Sequence, residues 1–188
     1  MFTIPNVLSA LRLALVPVLL WVAWIGQHRA YLVCLVFSLT TDFLDGLLAR
    51  VLKQTSELGA KLDSWADLAT YLSVPIGAWW LWPEIVRQEG TWVLLGVGSY
   101  LLAVLVGWIK FRRLTSYHTW TGKAAAILLP ISIVLLLSGV AGWVFRFIVP
   151  LVVAAAFEEI GITLVSPVWR SNVPSIWHAL KLRDRPQP

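Results

Sequence analysis

Runs of about 20 apolar residues, the length at which a helix crosses a hydrocarbon core, recur along this chain at roughly 8–25, 31–50, 62–81, 91–110, 123–139 and 143–165. In lipid a backbone must satisfy its own N–H and C=O groups, so such runs fold as helices. Composition agrees: the 188 residues are 59% hydrophobic, with a mean hydropathy of +0.77, too apolar for a soluble domain of this size. Turn chemistry separates the runs at Gly26-Gln27-His28, Trp82-Pro83-Glu84, Ser138-Gly139 and Ala141-Gly142. The expectation is an all-α integral membrane protein of six transmembrane helices with short amphipathic cytoplasmic ends. One domain covers 1–188, its cytoplasmic tail running from about 166 to 188.

Charge orients the spans. With both termini cytoplasmic, that side holds Arg12, Arg50, Lys53, Lys61, Lys110, Arg112, Arg113, Lys123, Arg170, Lys181, Arg183 and Arg185, and the far side only Arg29, Arg87 and Arg146. This is a positive-inside bias, and it places the protein in a membrane such as the bacterial inner membrane. The net charge of +5 then reflects topology and attraction to anionic headgroups. With no soluble module to carry it, nucleic-acid binding is not expected. Twelve Trp, many near the ends of the runs, suit interfacial belts. The single cysteine, Cys34, excludes a disulfide framework and reads as an inert thiol in an apolar run. The N-terminus lacks a basic leader and an evident cleavage site, and reads as retained sequence.

Five of the ten acidic residues fall between 42 and 67, and four of them stand in a fixed pattern: Asp42-x-x-Asp45-Gly46-x-x-Ala49-Arg50, eight residues, then Gly59-x-x-x-Asp63-x-x-x-Asp67. Offsets of 3, 4, 7 and 8 in one helix and of 4 and 8 in the next each describe a single helical face. The short connection between them makes the helices antiparallel neighbours whose acidic faces meet just inside the cytoplasmic boundary. Carboxylates at a membrane's edge are costly unless paired. Four together repel one another, and a divalent cation is the simplest remedy. Oxygen donors select Mg2+, Mn2+ or Ca2+ over zinc. The small residues Gly46, Ala49 and Gly59 admit close approach, and Arg50 offers a donor fork suited to phosphate. Together they suggest a diphosphate substrate and a phosphoryl-type displacement. Residue by residue, ion pairs with Arg50, Lys53 or Lys61 and helix packing at the small positions are sufficient explanations. The combination of all eight is not covered by them.

The constellation resembles the signature of the CDP-alcohol phosphatidyltransferase family, D-x2-D-G-x2-A-R-x8-G-x3-D-x3-D, with each fixed position met across 42–67. Ile4-Pro5-Asn6 with Arg12 also resembles the opening of many members. The resemblance implies a six-helix membrane enzyme, usually a homodimer, which moves a phosphatidyl group from CDP-diacylglycerol to an alcohol and releases CMP in phospholipid biosynthesis. Carried over by position, it implies Asp42, Asp45, Asp63 and Asp67 as ligands for Mg2+ or Mn2+. It implies Asp67 as the base for the acceptor hydroxyl, and Gly46, Ala49, Arg50 and Gly59 as the CDP site.

The acceptor is less marked. The polar stretch 110–123 offers Arg112, Arg113, His118 and Lys123 to an anionic acceptor such as glycerol 3-phosphate, which is the leading expectation. The same residues also read as a headgroup-contacting loop, a hydrogen-bonded histidine and a snorkelling lysine. Phosphatidylglycerophosphate synthases commonly read L-D-P-x-A-D-K here, whereas this chain reads Leu62-Asp63-Ser64-Trp65-Ala66-Asp67-Leu68. That is nearer the phosphatidylserine synthase pattern, so phosphatidylserine synthase-like and cardiolipin synthase-like acceptor use stay open. Glu158 and Glu159, in the last run, are expected to pair with a base such as Lys123 or Arg113, or to serve the acceptor. A small carrier is the rival of another class. Carriers usually hold their acids near mid-membrane within inverted repeats; here the acids cluster at one face and no repeat is visible.

Overall fold

The structure is a computed structural model and describes residues 4–51, 57–112, 117, 119–169 and 173–183. The described residues form helices α1 (Ile4–Trp24), α2 (His28–Val51), α3 (Glu57–Leu81), α4 (Pro83–Gln88), α5 (Gly90–Phe111), α6 (Trp120–Leu137), α7 (Gly142–Val165) and α8 (Ile176–Arg183). The six long helices fall on the six apolar runs. Glycine ends two of them as the sequence predicts. Gly26 (φ +77°) and Gly139 (φ +74°) take the left-handed conformation. The amides of Gly26 and Gln27 then donate to Ala23 and Val22, and those of Gly139 and Val140 to Leu136 and Leu135. Both are Schellman caps that satisfy otherwise orphaned carbonyls. At the other end of α6, Thr119 Oγ1 accepts the Gly122 amide at 3.0 Å, an ordinary N-cap.

Four of these helices are long and apolar enough to cross a membrane among the described residues: Asn6–Trp24, Gly90–Phe111, Trp120–Leu137 and Gly142–Val165. The chain is thus an integral membrane protein. Helices α2 and α3 have the length, 24 and 25 residues, but they carry the signature carboxylates and are less apolar. Four of the six expected spans are thus found as candidate spans, and α2 and α3 are not among them.

The chain divides into two compact units, Met1–Gln88 and Glu89–Pro188. In the first, α1 packs on both α2 and α3. Gly77 sets the fit of α3 against α2: a Cβ there would lie 2.6 Å from the ring of Tyr31, which is fully buried. At that end of the unit Trp24 stacks edge-on against Trp80, with ring centroids 5.4 Å apart. His28 Nε2 lies 2.8 Å from the Leu81 carbonyl, and its ring packs edge-on against Trp82. These contacts put the C-terminal ends of α1 and α3 beside the start of α2, so direction alternates along the three helices. The aromatic girdle suits a membrane interface, and it leaves the N-terminal ends of α1 and α3 together at the opposite end.

In the second unit α7 packs against α5 and α6. The buried Glu89 carboxylate, just before α5, accepts a forked pair of bonds from Arg146 near the start of α7. Lys110, at the end of α5, donates to the Thr163 and Leu164 carbonyls at the end of α7, at 2.8 and 2.9 Å. The two helices therefore run parallel, and the ammonium caps the negative end of α7. Beyond α7 the chain folds back: Ile176, Val173 and Ala179 close over Tyr117 and Ile162. Gly161 makes room, since a Cβ there would sit 2.7 Å from Ile176 Cδ1. The expected amphipathic tail thus includes a short docked helix, α8.

Candidate active site

Three carboxylates from two helices meet at one guanidinium. Arg12 lies on a buried polar stripe of α1 with Asn6 and Ser9, at spacings of three residues that keep one helical face. Its Nη1 donates to Asp42 Oδ1 of α2 and, at 2.8 Å, to Asp67 Oδ1 of α3; its Nη2 donates to Asp63 Oδ1. The Arg12 side chain is 3% exposed, whereas those of Asp42, Asp63 and Asp67 are 39, 44 and 36% exposed. The arginine thus forms the floor of the cluster, and the carboxylates form an open rim.

The local folding follows from the helix directions. Asp42 lies toward the end of α2, Asp63 and Asp67 in the first turns of α3, and Arg12 in the N-terminal half of α1, so antiparallel α2 delivers its acid to the same level. One ligand oxygen from each of Asp42, Asp63 and Asp67 lies within 4.8 Å of the others. That spacing and an all-oxygen donor set fit a hard divalent cation such as Mg2+ or Mn2+. Three buried polar atoms near this level have no hydrogen-bond partner among the described residues: Arg12 Nε, Ser38 Oγ and Thr70 Oγ1. Ser38 lies one turn before Asp42, and Thr70 one turn after Asp67.

The remaining expected residues divide by what is described. Gly59 is half-buried in the first turn of α3. Asp45, Gly46, Ala49 and Arg50 belong to the last turns of α2, but their side chains lie outside the described residues, as do Arg113 and His118. Arg112 and Lys123 belong to the second unit. Arg112 is exposed at the C-terminus of α5 with φ +54°, a left-handed position that normally favours glycine. The exposed Lys123 holds its ammonium 5.1 Å from the centre of the Trp120 ring. No ion pair joins it to Glu158 or Glu159 among the described residues, and Arg113, the other expected partner, lies outside them. Glu158 is instead taken up by neutral donors, the Thr121 hydroxyl and, at 3.4 Å, the Ile176 amide. Nearby the buried Tyr117 hydroxyl shares a 2.9 Å hydrogen bond with Thr163 Oγ1. Burial pushes the phenol's pKa above its ordinary value and Glu159 adds to the rise, while that hydrogen bond opposes it.

Arg12 is the residue whose place in the site the sequence reading missed. Sequence reading places it among the topological charges and in the opening that resembles many family members without giving it a role in the site, yet an arginine within an apolar run is costly and calls for a partner. Asn6 and Ser9 on the same face were the accompanying signal.

The profile of the CDP-alcohol phosphatidyltransferase family matches residues 2–157. The chain belongs to the CDP-alcohol phosphatidyltransferase family. It is an enzyme of that class. It is 38% identical over 150 residues to the cardiolipin synthase (CMP-forming) of Streptomyces coelicolor, an overlap of 76% of this chain and 68% of that protein. A putative cardiolipin synthase of Mycobacterium tuberculosis is 34% identical over 132 residues, 65% of this chain and 58% of the relative. A shorter match joins it to a CDP-diacylglycerol–glycerol-3-phosphate 3-phosphatidyltransferase of Aquifex aeolicus, 41% identical over 64 residues, 34% of this chain and 36% of that protein. The chain thus spans roughly three fifths to two thirds of the length of the cardiolipin synthases it matches. No solved structure matches it.

Proposed function

We propose that this protein transfers the phosphatidyl group of CDP-diacylglycerol to a lipid alcohol, phosphatidylglycerol, and releases CMP. The observation that carries the reaction class is the meeting of Asp42, Asp63 and Asp67 within one 4.8 Å cluster. The choice of acceptor rests on the relatives. The match to cardiolipin synthases extends over 76% and 65% of the chain, whereas the match to the glycerol-3-phosphate enzyme stops at 34%. Glycerol 3-phosphate, the expectation drawn from the sequence, is the second reading, supported by the exposed Arg112.

In this reading Asp42, Asp45, Asp63 and Asp67 hold Mg2+ or Mn2+, which when bound neutralises the diphosphate and stabilises the departing CMP. Gly46, Ala49, Arg50 and Gly59 admit and orient the CDP moiety. Asp67, at the open rim, accepts the proton of the acceptor hydroxyl. The hydroxyl oxygen forms a bond to the phosphatidyl phosphorus, the bond from that phosphorus to the bridging oxygen breaks, and CMP leaves with the electron pair. The enzyme acts as a homodimer with six spans, in the bacterial inner membrane, with active site and both termini facing the cytoplasm and the whole chain forming one membrane domain.

The test is CMP release by purified protein in detergent with CDP-diacylglycerol, Mn2+ or Mg2+, and one acceptor per reaction: phosphatidylglycerol, glycerol 3-phosphate, serine, inositol, inositol phosphate or choline. Metal-dependent release with phosphatidylglycerol alone is the expected result. Release with glycerol 3-phosphate alone would transfer the assignment to the second reading. Silence across the panel together with no binding of CDP-diacylglycerol would contradict the reaction class.

A further inference from the structure

We infer that Arg12 is a resident counter-cation of the aspartate cluster, which competes with the divalent cation for the carboxylates. This inference rests on the metal-dependent reading above and assigns a positioning role to a residue outside the family signature. The cluster as folded already holds one cation among its three carboxylates. One guanidinium donates to Asp42, Asp63 and Asp67, using the same carboxylates that come within 4.8 Å of one another as ligand atoms. All three bonds fall on Oδ1 atoms, and each carboxylate has a second oxygen able to coordinate, so the two cations compete for the charge of the same three groups. Burial makes the competition strong, because a charge taken out of water interacts through a lower effective dielectric. The arginine's side chain is 3% exposed, but each carboxylate keeps more than a third of its side-chain surface open. A cation can therefore approach from the rim while the guanidinium recedes to the floor. The unpartnered Arg12 Nε, Ser38 Oγ and Thr70 Oγ1 leave hydrogen-bonding capacity at that floor.

The arrangement does two things. It lowers the mutual repulsion of three converged carboxylates, so the ligand set is assembled before the cation arrives. It also engages Asp67 Oδ1, which leaves Oδ2 as the oxygen facing an acceptor proton. Competition between two cations for one site is a negative coupling, and such couplings run from about fivefold to about a hundredfold.

The test is a Mn2+ titration by calorimetry of the full chain in detergent, comparing wild type with Arg12→Met and Arg12→Lys, and Asp63→Asn as the ligand control. Arg12→Met is expected to bind Mn2+ about tenfold more tightly than wild type. Its melting temperature should be lower without Mn2+ and should rise further on adding it. Arg12→Lys, which keeps the charge but loses the fork, should fall between the two. Equal or weaker Mn2+ binding by folded Arg12→Met would overturn the inference and make Arg12 a brace that holds the ligands in place. No Mn2+ binding by wild type, or binding unchanged in Asp63→Asn, would instead sink the metal reading and this inference with it. If Arg12→Met does not fold, the wild type decides. In protein labelled with 15N-arginine, Mg2+ saturation should shift the buried guanidinium resonance, and an unmoved resonance in Mg2+-saturated protein would overturn the inference.

Discussion

The two units each hold carboxylates against helix ends, and they treat them in opposite ways. In the first, Asp42, Asp63 and Asp67 come from two helices and lean on a single arginine, with an open rim. In the second, Glu158 is held by a hydroxyl and a backbone amide, and those bonds tie together α6, α7 and the chain end that folds back as α8. Two neutral donors use Glu158 to fasten three helices, without cancelling its charge. Several carboxylates sharing one guanidinium keep a net negative charge and a reason to take another cation. The contrast separates acids that fasten helices from acids poised for chemistry.

The largest effects are expected at the aspartates. Asp42→Asn or Asp63→Asn should lower CMP release by about a hundredfold to a thousandfold, the usual cost of removing one electrostatic contact to a reacting phosphate group. It should also weaken metal dependence and binding of CDP-diacylglycerol. Asp67→Asn should abolish turnover while leaving that binding largely intact; full activity in this variant would remove Asp67 from the role of base.

Packing changes come next. Gly77→Val would drive a side chain into the buried Tyr31 ring, 2.6 Å from where its Cβ would stand. A loss of about 1–3 kcal/mol is expected, read as a lower melting temperature in detergent; an unchanged melting temperature would mean that α3 is not seated on α2 as described. Thr121→Val leaves Glu158 Oε2 without its hydroxyl donor and should cost about 1–3 kcal/mol, with Mn2+ affinity unmoved. A changed affinity would break the division between fastening and functional acids. The smallest effect is expected for Tyr117→Phe, which removes the hydrogen bond to Thr163 at a cost of about 1 kcal/mol. Thermal unfolding checks it, and CMP release should stay at the wild-type level.

Helix positions were legible because their determinants are local. Gly26 and Gly139 cap helices where the apolar runs break, and Thr119 caps the start of α6. The aspartates were legible because their spacing sets one face on each of two neighbouring helices. Arg12 was not, since its partners lie 30, 51 and 55 residues away and helical periodicity says nothing about which arginine crosses that distance. The donors seen on Glu158 were not legible for a similar reason. The chain returns after α7 and brings the Ile176 amide to it from 18 residues ahead. A helix of only eight residues, α8, has too few turns to announce itself by pattern.

The most direct test of the account measures Mn2+-dependent CMP release from CDP-diacylglycerol, with phosphatidylglycerol as acceptor, in Asp63→Asn and Glu158→Gln side by side. The account predicts that the first loses at least about a hundredfold of the wild-type rate, while the second keeps it to within about threefold at a temperature where both variants are folded. Equal losses in the two, or a greater loss in Glu158→Gln, would contradict it.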